Sequence, residues 1–114
     1  MMLVPNLGAT VTTLVGCLGV LFPTAVSRVL GIEATGLPGI SELRATYGGF
    51  FLCLGMGCLA AQSPPVFMVV GQAWCAAAVA RLVSFAIDGS RSHRNVAGIV
   101  FEASVGLAML SAAS

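Results

Sequence analysis

The feature of this sequence that most constrains its fold is a series of four apolar stretches separated by short polar connections. About twenty apolar residues are needed to cross the ~30 Å hydrocarbon core of a bilayer, and each stretch comes close to that length. None of them alternates apolar and polar residues as the strands of a transmembrane barrel do, so each is predicted to be a helix. We predict an all-α integral membrane bundle of four transmembrane helices, one domain over residues 1–114, with spans at about 3–22, 42–61, 66–87 and 96–112.

The shortage of charged residues supports a lipid-facing surface. Only 8% of the residues are charged and 58% are hydrophobic, whereas roughly 25% of the residues in an average globular protein are charged. The five basic residues are all arginines and form no run interleaved with aromatic residues, so no nucleic-acid partner is expected. The lipid bilayer is therefore the first predicted partner.

The ends of the predicted helices follow from proline, glycine and capping residues. Pro23 ends the first span because proline cannot continue the hydrogen-bond ladder of a helix. The segment 24–32 then suits a short helix lying in the membrane interface. Residues 33–39 are expected to form a loop, and Ser41 is expected to cap the N-terminus of the second span. Residues 62–65 are expected to form a tight turn before the third span.

All ionisable side chains fall on one predicted face of the membrane. Because successive spans alternate in direction, the connections after the first and third spans lie on the same side, opposite both termini. Arginine accumulates in short cytoplasmic loops, so we expect the charged loops in the cytoplasm and both termini outside. The ionisable residues are Arg28, Glu33, Glu42, Arg44, Arg81, Asp88, Arg91, His93, Arg94 and Glu102.

Three of these charges are predicted to lie below the membrane surface. Arg44 lies about one turn inside its helix, while Arg81 and Glu102 each lie roughly 10 Å from a helix end. Arg81 and Glu102 are therefore at matching depth and are natural partners. An unpaired charge in hydrocarbon costs at least ~2.5 kcal/mol, which favours inward orientation and pairing.

Helical spacing places these charges on the same faces as small residues, where membrane helices approach closely. This predicts a polar cluster at the cytoplasmic end of the bundle, which either fixes the helix register or binds an anionic or polar ligand. No catalytic residue, metal site or cofactor is predicted, since the four cysteines lie in apolar segments without a metal-binding spacing. The cluster is Arg44, Tyr47, Arg81, Ser84, Asp88 and Glu102, and the helix-packing glycines are Gly48, Gly55, Gly98 and Gly106.

Short motifs resemble a known family. The segments are the run Ser41-Glu42-Leu43-Arg44-Ala45-Thr46-Tyr47-Gly48-Gly49, then Ala80-Arg81-Leu82 and Phe101-Glu102. Together they are similar to motifs of small four-helix bacterial membrane proteins classed only as a domain of unknown function, number 4345. The likeness extends from about Gly16 to Ala108, and no activity comes with it. It implies four helices in a bacterial inner membrane.

Three functions are open on the sequence alone. The first is a non-catalytic accessory or assembly subunit of a larger membrane complex, with a membrane-protein partner or a second copy of the chain. The second is a binding protein or small enzyme for a lipid-soluble or anionic ligand, with Glu102 and Asp88 as acid or base and Arg44 and Arg81 as anion anchors. The third is a small oligomeric transporter. It ranks lowest because small multidrug-resistance transporters, which it superficially resembles, carry a central glutamate in their first helix, whereas the first span here has no acidic or basic residue.

Overall fold

The computed structural model describes residues 2–114 and is all-helical over that range. Helix α1 is followed by the short helix α2, and three longer helices complete the chain. Helix α5 continues into a single 3₁₀ turn, Ser111–Ala113. The helices are α1 (Leu3–Leu21), α2 (Pro23–Leu30), α3 (Gly36–Ala61), α4 (Pro64–Ile87) and α5 (His93–Leu110).

Four of the helices are long and apolar enough to cross a membrane. The candidate spans contain 19, 26, 24 and 21 residues, the last one including the 3₁₀ turn. No more than a third of the residues in the apolar window of each span are buried. Large apolar side chains are therefore directed outward along every span, as lipid contact requires. They include Leu18, Met56, Val69, Val79 and Leu107.

Helix α3 begins earlier than the sequence predicted. Thr35 occupies the N-cap position, so Ser41 lies inside the helix and the prediction that it caps the helix was wrong. Pro38 and Gly39, expected to end a loop, lie in the first turn. A first turn tolerates proline because its N–H groups have no partner within the helix.

Helix α5 also begins before its predicted start, at His93. Ser92 is the N-cap, and its side-chain oxygen accepts a hydrogen bond from the Asn95 N–H at 3.1 Å. Helix α4 begins with Pro64 at its first position, where proline is preorganised for helix. It ends where Gly89 adopts a left-handed conformation with φ of 71°.

The chain divides into two compact units, which we describe separately. Unit A is Ala9–Ala60. In it α1 and α3 run antiparallel in close contact, and glycines of α3 lie at two of the contacts. A Cβ on Gly55 would overlap Thr13, and one on Gly48 would lie 2.7 Å from the Val20 backbone nitrogen. Residues of ordinary size at these positions would force the two helices apart.

Unit B comprises residues 2–8 together with Ala61–Ser114. Helices α4 and α5 pack antiparallel along most of their lengths. A Cβ on Gly106 would lie 2.9 Å from both the Gly71 carbonyl oxygen and the Cys75 nitrogen. The backbones of α4 and α5 are therefore nearly in contact at Gly106.

Candidate functional site

An ion pair connects α4 and α5 in unit B. The Arg81 Nε–H donates a hydrogen bond to Glu102 Oε1 at 2.7 Å. The Glu102 side chain is only 12% exposed, whereas that of Arg81 is 31% exposed. A carboxylate at this burial needs a partner, and the arginine supplies both the opposite charge and a directed hydrogen bond.

Asn95 extends the ion pair into a network, and sequence reasoning did not identify it. Its Oδ1 accepts a hydrogen bond from Arg81 Nη1 at 3.3 Å, and its Nδ2 donates to the Ser90 carbonyl at 2.8 Å. Asn95 is buried, and it lies seven residues before Glu102 on the same helix. Since residues seven apart share a face of a helix, this spacing was the signal that could have revealed it.

Gly98 makes room for the arginine. A Cβ at Gly98 would lie 3.1 Å from both Cζ and Nε of Arg81, so the guanidinium rests against the α5 backbone. Gly98 lies four residues before Glu102, and Gly106 lies four residues after it. The three residues therefore form one face of α5, on which the carboxylate is flanked by two close approaches of α4.

Two further side chains of the predicted cluster interact within α4. Ser84 Oγ donates a hydrogen bond to Asp88 Oδ2 at 2.8 Å, an i to i+4 contact on the exposed end of the helix. Just beyond the helix, the Arg91 guanidinium lies 5.1 Å from the centre of the Phe85 ring, within the range of a cation–π interaction.

The remaining two members of the predicted cluster, Arg44 and Tyr47, belong to unit A. They lie in a π-helical segment, Arg44–Phe50, in the middle of α3. Such segments are rare and are frequently found at functional sites. The Tyr47 ring lies 6.2 Å from the ring of Phe51, measured between centroids.

Arg44 caps the end of α1. Its Nη1 donates a hydrogen bond to the backbone carbonyl of Val20, in the last turn of α1. The carbonyls of the last turn lack donors within their own helix, and Pro23 contributes no N–H to the following segment. A cation at this end also interacts favourably with the helix dipole. Arg44 therefore has a structural partner of its own within unit A.

The structure thus brings Arg81, Glu102 and Asn95 together, and separately pairs Ser84 with Asp88. Within residues 2–114, every buried side-chain nitrogen or oxygen has a hydrogen-bond partner. In chemical terms the unit B network can fix the register of two helices, and it engages Arg81 through Nε and Nη1.

Comparison with known proteins places the chain in a family without assigning it an activity. No curated protein and no solved structure is similar enough to match it. A family model does match, over residues 3–113. Since that match covers nearly the whole sequence, the chain belongs to the family described as Domain of unknown function (DUF4345).

Proposed function

We propose that this chain is a small non-catalytic accessory or assembly subunit of a larger membrane complex. The observation that carries the proposal is the internal pairing of its most buried charge. Glu102 contacts Arg81, and Arg81 contacts Asn95, within one helical hairpin. A carboxylate engaged in this way contributes to helix register, and a general base would need to be free to take a proton.

The outer face of α3 offers a surface for a partner helix. Gly49, Cys53 and Gly57 recur at intervals of four residues, and all three are exposed. A Cβ on Gly57 would meet no atom within 4 Å. Small residues at this spacing let a second helix approach closely in a membrane. We infer that this face receives a membrane-protein partner, or a second copy of the chain.

The test is affinity purification of the tagged chain from its native membranes in mild detergent, with mass spectrometry of the copurified proteins. We expect one membrane protein at fixed stoichiometry. Gly57→Leu should abolish its recovery, because the larger side chain would occupy the surface that the partner helix approaches. The fold should persist, since a Cβ at that position meets no other atom of unit A outside the backbone of its own helix.

The matched control is Val69→Leu, which changes an exposed apolar residue of α4 and should leave the partner bound. If the only protein that copurifies with the tagged chain is an untagged version of the same chain, the partner is a second copy. Recovery of the chain alone, at full yield and with no change in Gly57→Leu, would contradict the subunit proposal.

One observation favours the second candidate, a binding protein or small enzyme for a lipid-soluble or anionic ligand. Arg81 is 31% exposed, and it makes its hydrogen bonds within residues 2–114 through Nε and Nη1 only. Nη2 could donate to an anion. The same purification distinguishes the two candidates, because extraction of one bound small molecule without a protein partner would support ligand binding.

A further inference from the structure

The connection between α4 and α5 carries an exposed basic patch that the ion-pair network does not use. The patch consists of Arg91, His93 and Arg94, all exposed. We propose that it binds the phosphate-bearing headgroups of anionic phospholipids. The inference concerns the lipid partner and does not depend on the subunit role.

The charge distribution singles out this patch. In unit A two arginines are matched by two glutamates, so the net charge of +1 resides in unit B. There Arg81 is paired with Glu102. The other charged side chains of unit B are the arginines Arg91 and Arg94 and one carboxylate, that of Asp88. This carboxylate already accepts a hydrogen bond from Ser84.

The patch lies at the border of the apolar surface. Val83 and Ile87 are exposed near the end of α4, and Val96 and Val100 are exposed in the first turns of α5. Exposed apolar side chains on two neighbouring helices mark the surface that hydrocarbon covers. The residues between them, which include both arginines, therefore fall at the depth of the lipid headgroups, where phosphate is the abundant anion.

The connection is also held in a defined conformation. Asn95 Nδ2 donates to the Ser90 carbonyl at 2.8 Å, and the Arg91 guanidinium rests on the Phe85 ring. These contacts restrain the backbone on both sides of the patch, which lowers the entropy lost when a headgroup binds. The N-terminal end of α5, which begins at His93, adds the partial positive charge of the helix dipole beside the patch.

The test is lipid retention by the purified full chain. The protein is reconstituted in nanodiscs of equimolar phosphatidylcholine and phosphatidylglycerol, released into detergent, and examined by native mass spectrometry. We expect preferential retention of phosphatidylglycerol. A basic residue near an anionic surface contributes roughly a fivefold preference, so Arg91→Gln with Arg94→Gln should lower the preference by about 25-fold.

Two controls make the result specific. Arg28→Gln removes an exposed arginine of unit A and should keep the preference. Arg91→Lys with Arg94→Lys retains both charges, so it should keep the preference and remains informative if the glutamine variant fails to fold. Equal retention of the two lipids by the wild-type chain would overturn the proposal. So would an unchanged preference in the glutamine variant, or displacement of the lipid by millimolar inorganic phosphate, which would indicate a site for a soluble anion.

Discussion

At the scale of single residues, Arg81 is the side chain on which the polar contacts of unit B converge. It joins Glu102 on α5 to Asn95 at the start of that helix, and its guanidinium rests against Gly98. The depth of Arg81 and Glu102 could be estimated from their positions in the sequence, and their pairing followed from it. The role of Asn95 was missed, because the predicted span began at about residue 96 and left Asn95 outside the helix.

The first prediction at this scale concerns the ion pair. Glu102→Leu should lower the free energy of unfolding by about 2 kcal/mol, because it leaves the Arg81 guanidinium partly buried without its charged acceptor. Unfolding in mixed detergent micelles, followed by far-UV circular dichroism, measures the loss.

The double variant Arg81→Met with Glu102→Leu separates a structural role from a ligand-binding one. Replacing both partners of a buried pair with apolar residues is often neutral or stabilising. We therefore expect the double variant to recover most of the stability lost in Glu102→Leu. If the double variant is less stable than Glu102→Leu, the ion pair does more than fix the register of the two helices, and the ligand-binding role gains support.

At the scale of helices, glycine positions distinguish contact faces from open ones. A Cβ on Gly106 would lie 2.5 Å from the Cys75 sulfur and 2.9 Å from backbone atoms of α4, whereas one on Gly57 meets open space. The sequence predicted Gly106 as a packing residue from its spacing to Glu102. It could not show that Gly57 lies on an open face, because both glycines occupy apolar helices of similar composition.

A pair of alanine variants tests this difference. Gly57→Ala should be neutral or should stabilise the chain by up to about 1 kcal/mol, because alanine favours helix over glycine. Gly106→Ala should destabilise it, since the backbones of α4 and α5 would have to separate. Both are measured by thermal unfolding in the same detergent. The assignment of the two faces would be wrong if the variants shifted the midpoint equally.

The π-helical segment of α3 shows where helix-level prediction reached its limit. The prediction that Arg44 shares a helix face with packing glycines such as Gly48 assumed α-helical spacing throughout. Residues 44–50 are instead π-helical, and Arg44 contacts the end of α1. Such a change in hydrogen-bond register depends on the packing of neighbouring helices, which a single sequence does not report.

At the scale of the whole molecule, the all-helical class and the four candidate spans were predictable from the low charge content together with the length and pattern of the apolar stretches. So few charged residues cannot cover a water-exposed surface, and the four apolar stretches have the length of membrane helices. The division into two compact units was not predictable, since it arises from which helices pack together.

Orientation in the membrane is also testable at this scale. The distribution of arginine leads us to expect residue 90 on the cytoplasmic side and residue 63 on the opposite side. In a chain whose native cysteines are replaced by alanine, an impermeant maleimide added to intact cells should label Ser63→Cys but not Ser90→Cys. Labelling of both positions after the cells are broken is the control. The reverse pattern would invert the assignment.

The contact between Gly8 and Met109 bears on how the molecule is made. Near the start of α1, Gly8 lies against the Met109 side chain near the end of α5, which is fully buried. The contact joins residues 101 positions apart in the sequence, so it cannot form until residue 109 has been synthesised. A chain that ended before Met109 would leave Gly8 without this neighbour.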